Sequence, residues 1–287
     1  MEIAPRTFQR WLAATPRVPG ARGRPRLPPP TPAEVWAVEQ YAHRHPRTGY
    51  KRLTAELDAR RLAFLRKHQV EEILKAAQLL GGGGNPPAGA LKRPPPPERP
   101  DQVWHIDLMY LLVGRKWFYL VDILDGYSRY LVHWTLNPTM LAETVTLTVQ
   151  QALEQLSERR PEEPQIVHDR GSQFVSGEWK GFVRAAGCRD IRTRVAHPES
   201  NGKLERLHRT HREEGLVGAE LTDYHAALEA MQRWASYYNQ ERPHSALKYL
   251  QPVTYYRGDP GQELRAREQR LTEAAAARKA YWEERPA

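Results

Sequence analysis

The chain has 287 residues, 40% apolar and 27% charged, which suits a globular protein with one domain of ordinary size and one or two small modules. No run of about eighteen apolar residues occurs, which excludes a membrane-spanning helix, and the single cysteine, Cys188, excludes an internal disulfide and a thiolate zinc site. Of the formal charge of +9, nearly all lies in residues 1–75, with fifteen Arg and Lys against seven Asp and Glu, a balance that suits nucleic-acid contact as well as a solvated basic surface.

The first thirty residues carry six Arg and no apolar stretch with a small-residue cleavage site, so no secretory signal is read and a cytoplasmic location is expected. They form a basic, proline-rich arm. Within it, Arg6-Thr7-Phe8-Gln9-Arg10-Trp11-Leu12 reads as the last helix of a partial helix-turn-helix, whose remainder is expected on a separate, upstream-encoded DNA-binding protein or in a fused upstream frame. Thr31, Pro32 and Glu34 then supply an N-cap, a first-position proline and a capping-box acid. Helices predicted from there, over 51–60 and over 67–79 make residues 31–80 an all-α helix-turn-helix domain. Glu71 and Glu72 on its third helix argue against a strongly basic recognition surface. Residues 81–100, GGGGNPPAGALKRPPPPERP, have no apolar period and form a Gly/Pro linker.

Residues 101–260 change character. Segments 103–111, 117–124 and 129–135 are rich in aromatic and β-branched residues and are punctuated by Gly114 and Asp125-Gly126, so they read as three strands joined by hairpins. Leu141, Val145, Val149, Leu153 and Leu156 mark an amphipathic helix. A short strand 165–168 follows, then a helix capped by Ser176 and ended by Gly187, a fifth strand over 191–195 and a long helix from about Asn201. The order is that of an α/β, ribonuclease-H-like core. Further helices are predicted at 223–238 and in the 261–287 tail.

Three acids stand out by position: Asp107 within the first strand, Asp169 at the end of the fourth, and Glu205 on the helix after the fifth. An acid in an apolar strand is costly unless paired or bound to a metal. Thirty-five residues separate Asp169 from Glu205. Asp169 lies in His168-Asp169-Arg170-Gly171-Ser172-Gln173-Phe174, and Glu205 ends His197-Pro198-Glu199-Ser200-Asn201-Gly202-Lys203-Leu204-Glu205. These resemble the D-x-G-x-x-F and S-N-G-x-x-E motifs of the integrase core shared by retroviral integrases and bacterial insertion-sequence transposases. The resemblance covers about residues 100–260 and continues in Tyr238-Asn239-Gln240-Glu241-Arg242-Pro243-His244-Ser245-Ala246-Leu247, while His45-Pro46-Arg47-Thr48-Gly49-Tyr50-Lys51-Arg52-Leu53 resembles the helix-turn-helix that precedes that core.

The resemblance implies a DDE transposase of the retroviral integrase superfamily, with Asp107, Asp169 and Glu205 as catalytic and metal-binding residues. Carboxylate oxygens suit Mg²⁺ or Mn²⁺, and two such ions per active site would serve cleavage at transposon ends and transfer of the 3′-hydroxyl to target DNA. The implied partners are double-stranded DNA and further copies of the chain, at the bacterial nucleoid. Asn201, Glu205, His208 and Arg212 are expected on one helix face, with Leu204 and Leu207 turned away. Asn201, Lys203, Arg206, His208, Arg209 and Arg212 are therefore candidate DNA contacts, as are Lys51, Arg52, Arg6 and Arg10. A fold retained for DNA binding without catalysis, or a nuclease without strand transfer, are the competing readings.

Overall fold

The computed structural model describes residues 27–80, 96–156, 163–169, 171–192, 202–216 and 218–285. The arm helix with Arg6 and Arg10, most of the Gly/Pro linker, and Asn201 with the residues before it lie outside these.

Three helices, α1 (Pro32–Arg44), α2 (Tyr50–Ala59) and α3 (Lys67–Ala76), form the N-terminal unit. Thr31 and Glu34 make the anticipated reciprocal cap: the Glu34 N–H donates to Thr31 Oγ1, and the Thr31 N–H donates to the Glu34 carboxylate. Val38, Leu53, Leu57, Val70 and Leu74 close a small core of their own.

Strands β1 (Val103–Val113), β2 (Lys116–Asp125), β3 (Leu131–Asn137), β4 (Gln165–His168) and β5 (Arg189–Arg192) form one sheet in the order β3-β2-β1-β4-β5. The first three are antiparallel, and β4 and β5 run parallel to β1. Helices α4 (Ala142–Glu154), α5 (Ser172–Val175) and α6 (Gly177–Ala185) supply the crossovers. This is the mixed sheet of the ribonuclease-H-like fold. At the β1–β2 turn Gly114 has φ +58, and a Cβ there would stand 2.7 Å from the Thr222 carbonyl oxygen, so only glycine fits. β3 begins two residues later than the apolar pattern predicts. Asp125 accepts from the Ser128 N–H and hydroxyl, and Arg129 adopts φ 61, which extends the turn to Tyr130.

Alternation along the strands divides the core. Trp104, Ile106, Val121 and Ile123 pack under α4 and α6 with Val145, Val149, Phe174 and Trp179. Met109, Leu111, Leu120 and Leu124 face the other way, against α7 (Gly202–Thr210) and α8 (Tyr224–Gln240) through Leu204, Leu207, Met231 and Trp234. A π-helical turn, His211–Gly215, extends α7. Within α8, Asn239 is buried and completes the edge of β3: its Oδ1 accepts from the Leu131 N–H at 2.8 Å and its Nδ2 donates to the Leu131 carbonyl at 2.9 Å.

After α9 (Pro252–Tyr256), the 24-residue α10 (Pro260–Glu283) returns to the N-terminal unit. Arg267 and Arg270 converge on Asp58, Arg66 forks onto Glu268, and the buried Arg278 donates to Glu34 and to the Phe64 carbonyl. Among the described residues no helix is long and apolar enough to cross a membrane.

Candidate active site

Asp107 shares its face of β1 with Met109 and Leu111, the face that α7 covers. The antiparallel ladder sets it directly opposite Asp122 of β2, and like charges placed so are destabilising. A buried stripe on α7 and the turn that extends it faces them: Leu204, Leu207, His208 and His211, at the i, i+3, i+4, i+7 spacing of a helix face. His208 stands between the two acids, with Nδ1 3.7 Å from Asp107 Oδ2 and Nε2 3.3 Å from Asp122 Oδ2. His211 Nε2 lies 3.2 Å from the same Asp122 oxygen, and its ring stacks on Trp234 at 3.6 Å. Asp122 and His211 have no solvent exposure. The Asp122 oxygens have no hydrogen-bond partner among the described residues, so charge attraction rather than directed bonding holds this cluster.

The electrostatics follow from that geometry. Burial alone would raise Asp122, but His211 and His208 outweigh it and hold the carboxyl well below the usual range. For His208 burial works downward, and Asp122 with Asp107 reverses it, raising the imidazole above its ordinary value. Asp107 goes the other way. Burial, helped by Asp169 and Asp122, pushes it up to about 6, against the opposing pull of His208 and of the Leu108 N–H.

Asp169 follows β4. The parallel register pairs His105 with Val167, and continuing it by two residues sets Asp169 alongside Asp107. Asp169 Oδ1 accepts from the Gly171 N–H at 2.8 Å. His168 is buried, stacks on Phe174 at 4.1 Å and meets Asp190 of β5 through Nε2. Glu205 is exposed on α7. Among the described residues no three His, Cys, Asp or Glu side chains are arranged to hold a metal ion.

The expected DNA contacts divide. Arg206 and Arg209 are exposed on α7 and Arg212 on the π-helical turn that extends it. His208 is a correction: it is buried on the Leu204–Leu207 side, because the helix packs that side onto the sheet. Lys203 turns inward, its Nζ 3.1 Å from His105 Nε2 and 3.2 Å from the Gly126 carbonyl, and burial together with Arg129 lowers it to about 8. Arg52 is also drawn in, bonded to Glu56, Glu214 and Tyr237 at 2.8, 2.7 and 2.7 Å, which leaves its guanidinium committed within the chain. Lys51 is half-buried with Nζ 5.6 Å from the Tyr50 ring. Asp122 and His211 went unread as site residues, although alternation from Leu120 and the helical stripe from Leu204 both point to them.

Asp107 makes a pH prediction for the cation-free protein. Its proton is held more tightly in the fold than in the unfolded chain. The Asp107 contribution to stability is therefore fully present below about pH 4 and is lost as pH rises to about 6, by up to about 3 kcal/mol. Asp107→Asn is expected to melt above the parent at pH 7.5 in chelator, with the difference gone at pH 4. Equal melting temperatures at pH 7.5 would contradict the raised value.

Two models of the integrase core domain match the chain, over residues 97–198 and 186–252. The chain is 30% identical over 158 residues to the transposase for insertion sequence element IS904 of Lactococcus lactis subsp. lactis, covering 54% of this chain and 61% of that protein. It is 27% identical over 158 residues to the 31 kDa protein of insertion element IS600 of Shigella sonnei, covering 54% and 57%. The chain thus spans less than two thirds of the length of these two relatives. Among solved structures, the simian T-cell lymphotropic virus intasome with PP2A regulatory subunit B56 gamma aligns at TM-score 0.49 and 15% identity, over 77% of this chain and 74% of that one. The HTLV-2 integrase catalytic core with magnesium aligns at TM-score 0.45 and 15% identity, over 55% and 97%.

Proposed function

We propose that this chain, whose residues 97–252 carry an integrase core domain, is a DDE transposase of the insertion-sequence type. It cuts at transposon ends and joins the freed 3′-hydroxyl ends to target DNA. The observation that carries this reading is the pair of Asp107, on β1, and Asp169, just past the end of the adjacent parallel strand β4, with the Asp107 carboxyl pushed up by burial and by Asp169.

Such a pair holds more negative charge than its surroundings neutralise, and its oxygen donors fit a hard divalent cation. Asp107, Asp169 and Glu205 would hold Mg²⁺ or Mn²⁺, two ions per site. Bound there, the ions would ease deprotonation of the attacking water or 3′-hydroxyl and stabilise the leaving 3′-oxygen. The chain's own residues do the rest. His208, on α7, faces the Asp107 carboxylate with Nδ1 3.7 Å from Oδ2. Arg206, Arg209 and Arg212, exposed on the helix that bears Glu205 and on the turn that extends it, offer a row of cations to the DNA backbone. The three-helix unit is read as the helix-turn-helix that binds transposon ends, with the basic arm and, where present, an upstream-encoded DNA-binding protein. Pairing two ends requires more than one copy, acting at the nucleoid.

The test is a strand-transfer assay in Mg²⁺ with labelled DNA from the flanks of the encoding gene. Joined products from the parent, lost in Glu205→Gln, are expected. Cut but unjoined DNA would favour the nuclease, and end binding with neither product would favour the binding protein without catalysis.

A further inference from the structure

We propose that Asp122, His208 and His211 form a positioning device that sets the Asp107 carboxylate for cation binding and fixes the catalytic helix on the sheet; this rests on the reading of Asp107 as a metal ligand. Asp122 is an acid with no solvent exposure in the middle of a strand, a placement that costs several kcal/mol unless opposite charge is close. Its only ion-pair partners among the described residues are two imidazoles from one helical stripe, both nearest a single oxygen, Oδ2. The second nitrogen of His208 faces Asp107 Oδ2. One ring therefore touches both members of a cross-strand acid pair.

The π-helical turn belongs to the same arrangement. It begins at His211, the residue whose ring is clamped between Asp122 and Trp234. At its far end Gly215 has no room for a side chain, since a Cβ would meet the Trp234 ring at 2.2 Å. The turn thus joins the helix to Asp122 on one side and to α8 on the other. Glu205 lies one turn before His208, so rotation or sliding of α7 would displace both an active-site acid and the ring behind Asp107. A purely structural ion pair would need neither the contact to Asp107 nor two rings on one oxygen.

Residues that orient metal ligands from behind typically change metal affinity or activity by about 10- to 100-fold when removed, and replacing a buried ion pair with apolar residues often preserves or raises stability. Those two facts separate the roles. The variants are Asp122→Asn, which keeps the shape and removes the charge, and the double Asp122→Val/His211→Leu, which removes the Asp122–His211 pair, leaves His208 in place and keeps the packing. Mn²⁺ binding to the DNA-free protein is measured by calorimetry, alongside melting temperature and the Mg²⁺ half-saturation for strand joining.

The expected result for the double variant is a melting temperature at or above the parent's with Mn²⁺ binding weakened about 10-fold or more, and a Mg²⁺ requirement raised to match while the rate at saturating Mg²⁺ falls less. A double variant that melts like the parent and keeps its Mn²⁺ affinity overturns the proposal, even if Asp122→Asn fails to fold. A parent that joins DNA in Mg²⁺ while the variants are unchanged refutes the positioning role alone. A parent that neither binds Mn²⁺ nor joins DNA refutes the transposase reading on which it rests.

Discussion

Asp169→Asn is expected to lower strand joining about a thousandfold, equivalent to roughly 4 kcal/mol of transition-state stabilisation. DNA affinity is expected to change less than about twofold, because binding rests on phosphate contacts. The substitution isolates charge from structure unusually well. Asp169 Oδ1 accepts from the Gly171 N–H at 2.8 Å, and an asparagine carbonyl accepts the same bond, so the strand end keeps its shape. What is lost is the negative charge beside Asp107. Single-turnover joining on pre-cut ends, with gel-shift affinity and melting temperature as controls, reads all three quantities. Joining within tenfold of the parent would remove Asp169 from the proposed triad.

Asn239→Ala is expected to cost about 3 kcal/mol of stability, the largest effect foreseen away from the acids. Asn239 acts as a piece of strand, satisfying both the N–H and the carbonyl of Leu131 within the core. Alanine would leave two buried backbone groups without partners and would loosen the start of β3. Urea unfolding measures the loss, and a change under about 1 kcal/mol would mean that water or a shifted neighbour replaces the amide. Asn239→Asp offers a second comparison, since it keeps an acceptor for the Leu131 N–H and sets a carboxylate against the Leu131 carbonyl.

Many of the secondary-structure elements were legible because their signals are local. The capping box at Thr31 and Glu34, the cap at Ser176 and the alternation through β1 depend on residues a few positions apart, and the structure contains the corresponding elements. The candidate site was harder to read where histidine and aspartate occupy positions usually held by apolar residues. Counting from Glu205 put His208 on an exposed face. Counting from Leu204 and Leu207 puts His208 and His211 on the buried one, and the packing follows the leucines because the desolvation of an apolar stripe sets how a helix lies on a sheet. Asp122 was passed over as one more acid near the end of its strand, because only the sheet pairing sets it opposite Asp107. Arg52 illustrates a different limit. Its partners Glu214 and Tyr237 lie 162 and 185 residues away, and no local period encodes a pairing of that kind.

The ion pairs between the N-terminal unit and α10 also set an order of events during synthesis. Arg66 and Glu268, Asp58 and Arg270, and Glu34 and Arg278 are separated by 202, 212 and 244 residues. At roughly 5 to 20 residues per second, the earlier partner of each pair waits on the order of ten to fifty seconds for the later one to leave the ribosome. Over that interval the three-helix unit can fold around its own core, yet the groups that later grip α10 still face solvent. A nascent chain therefore presents an N-terminal surface that the finished chain has closed.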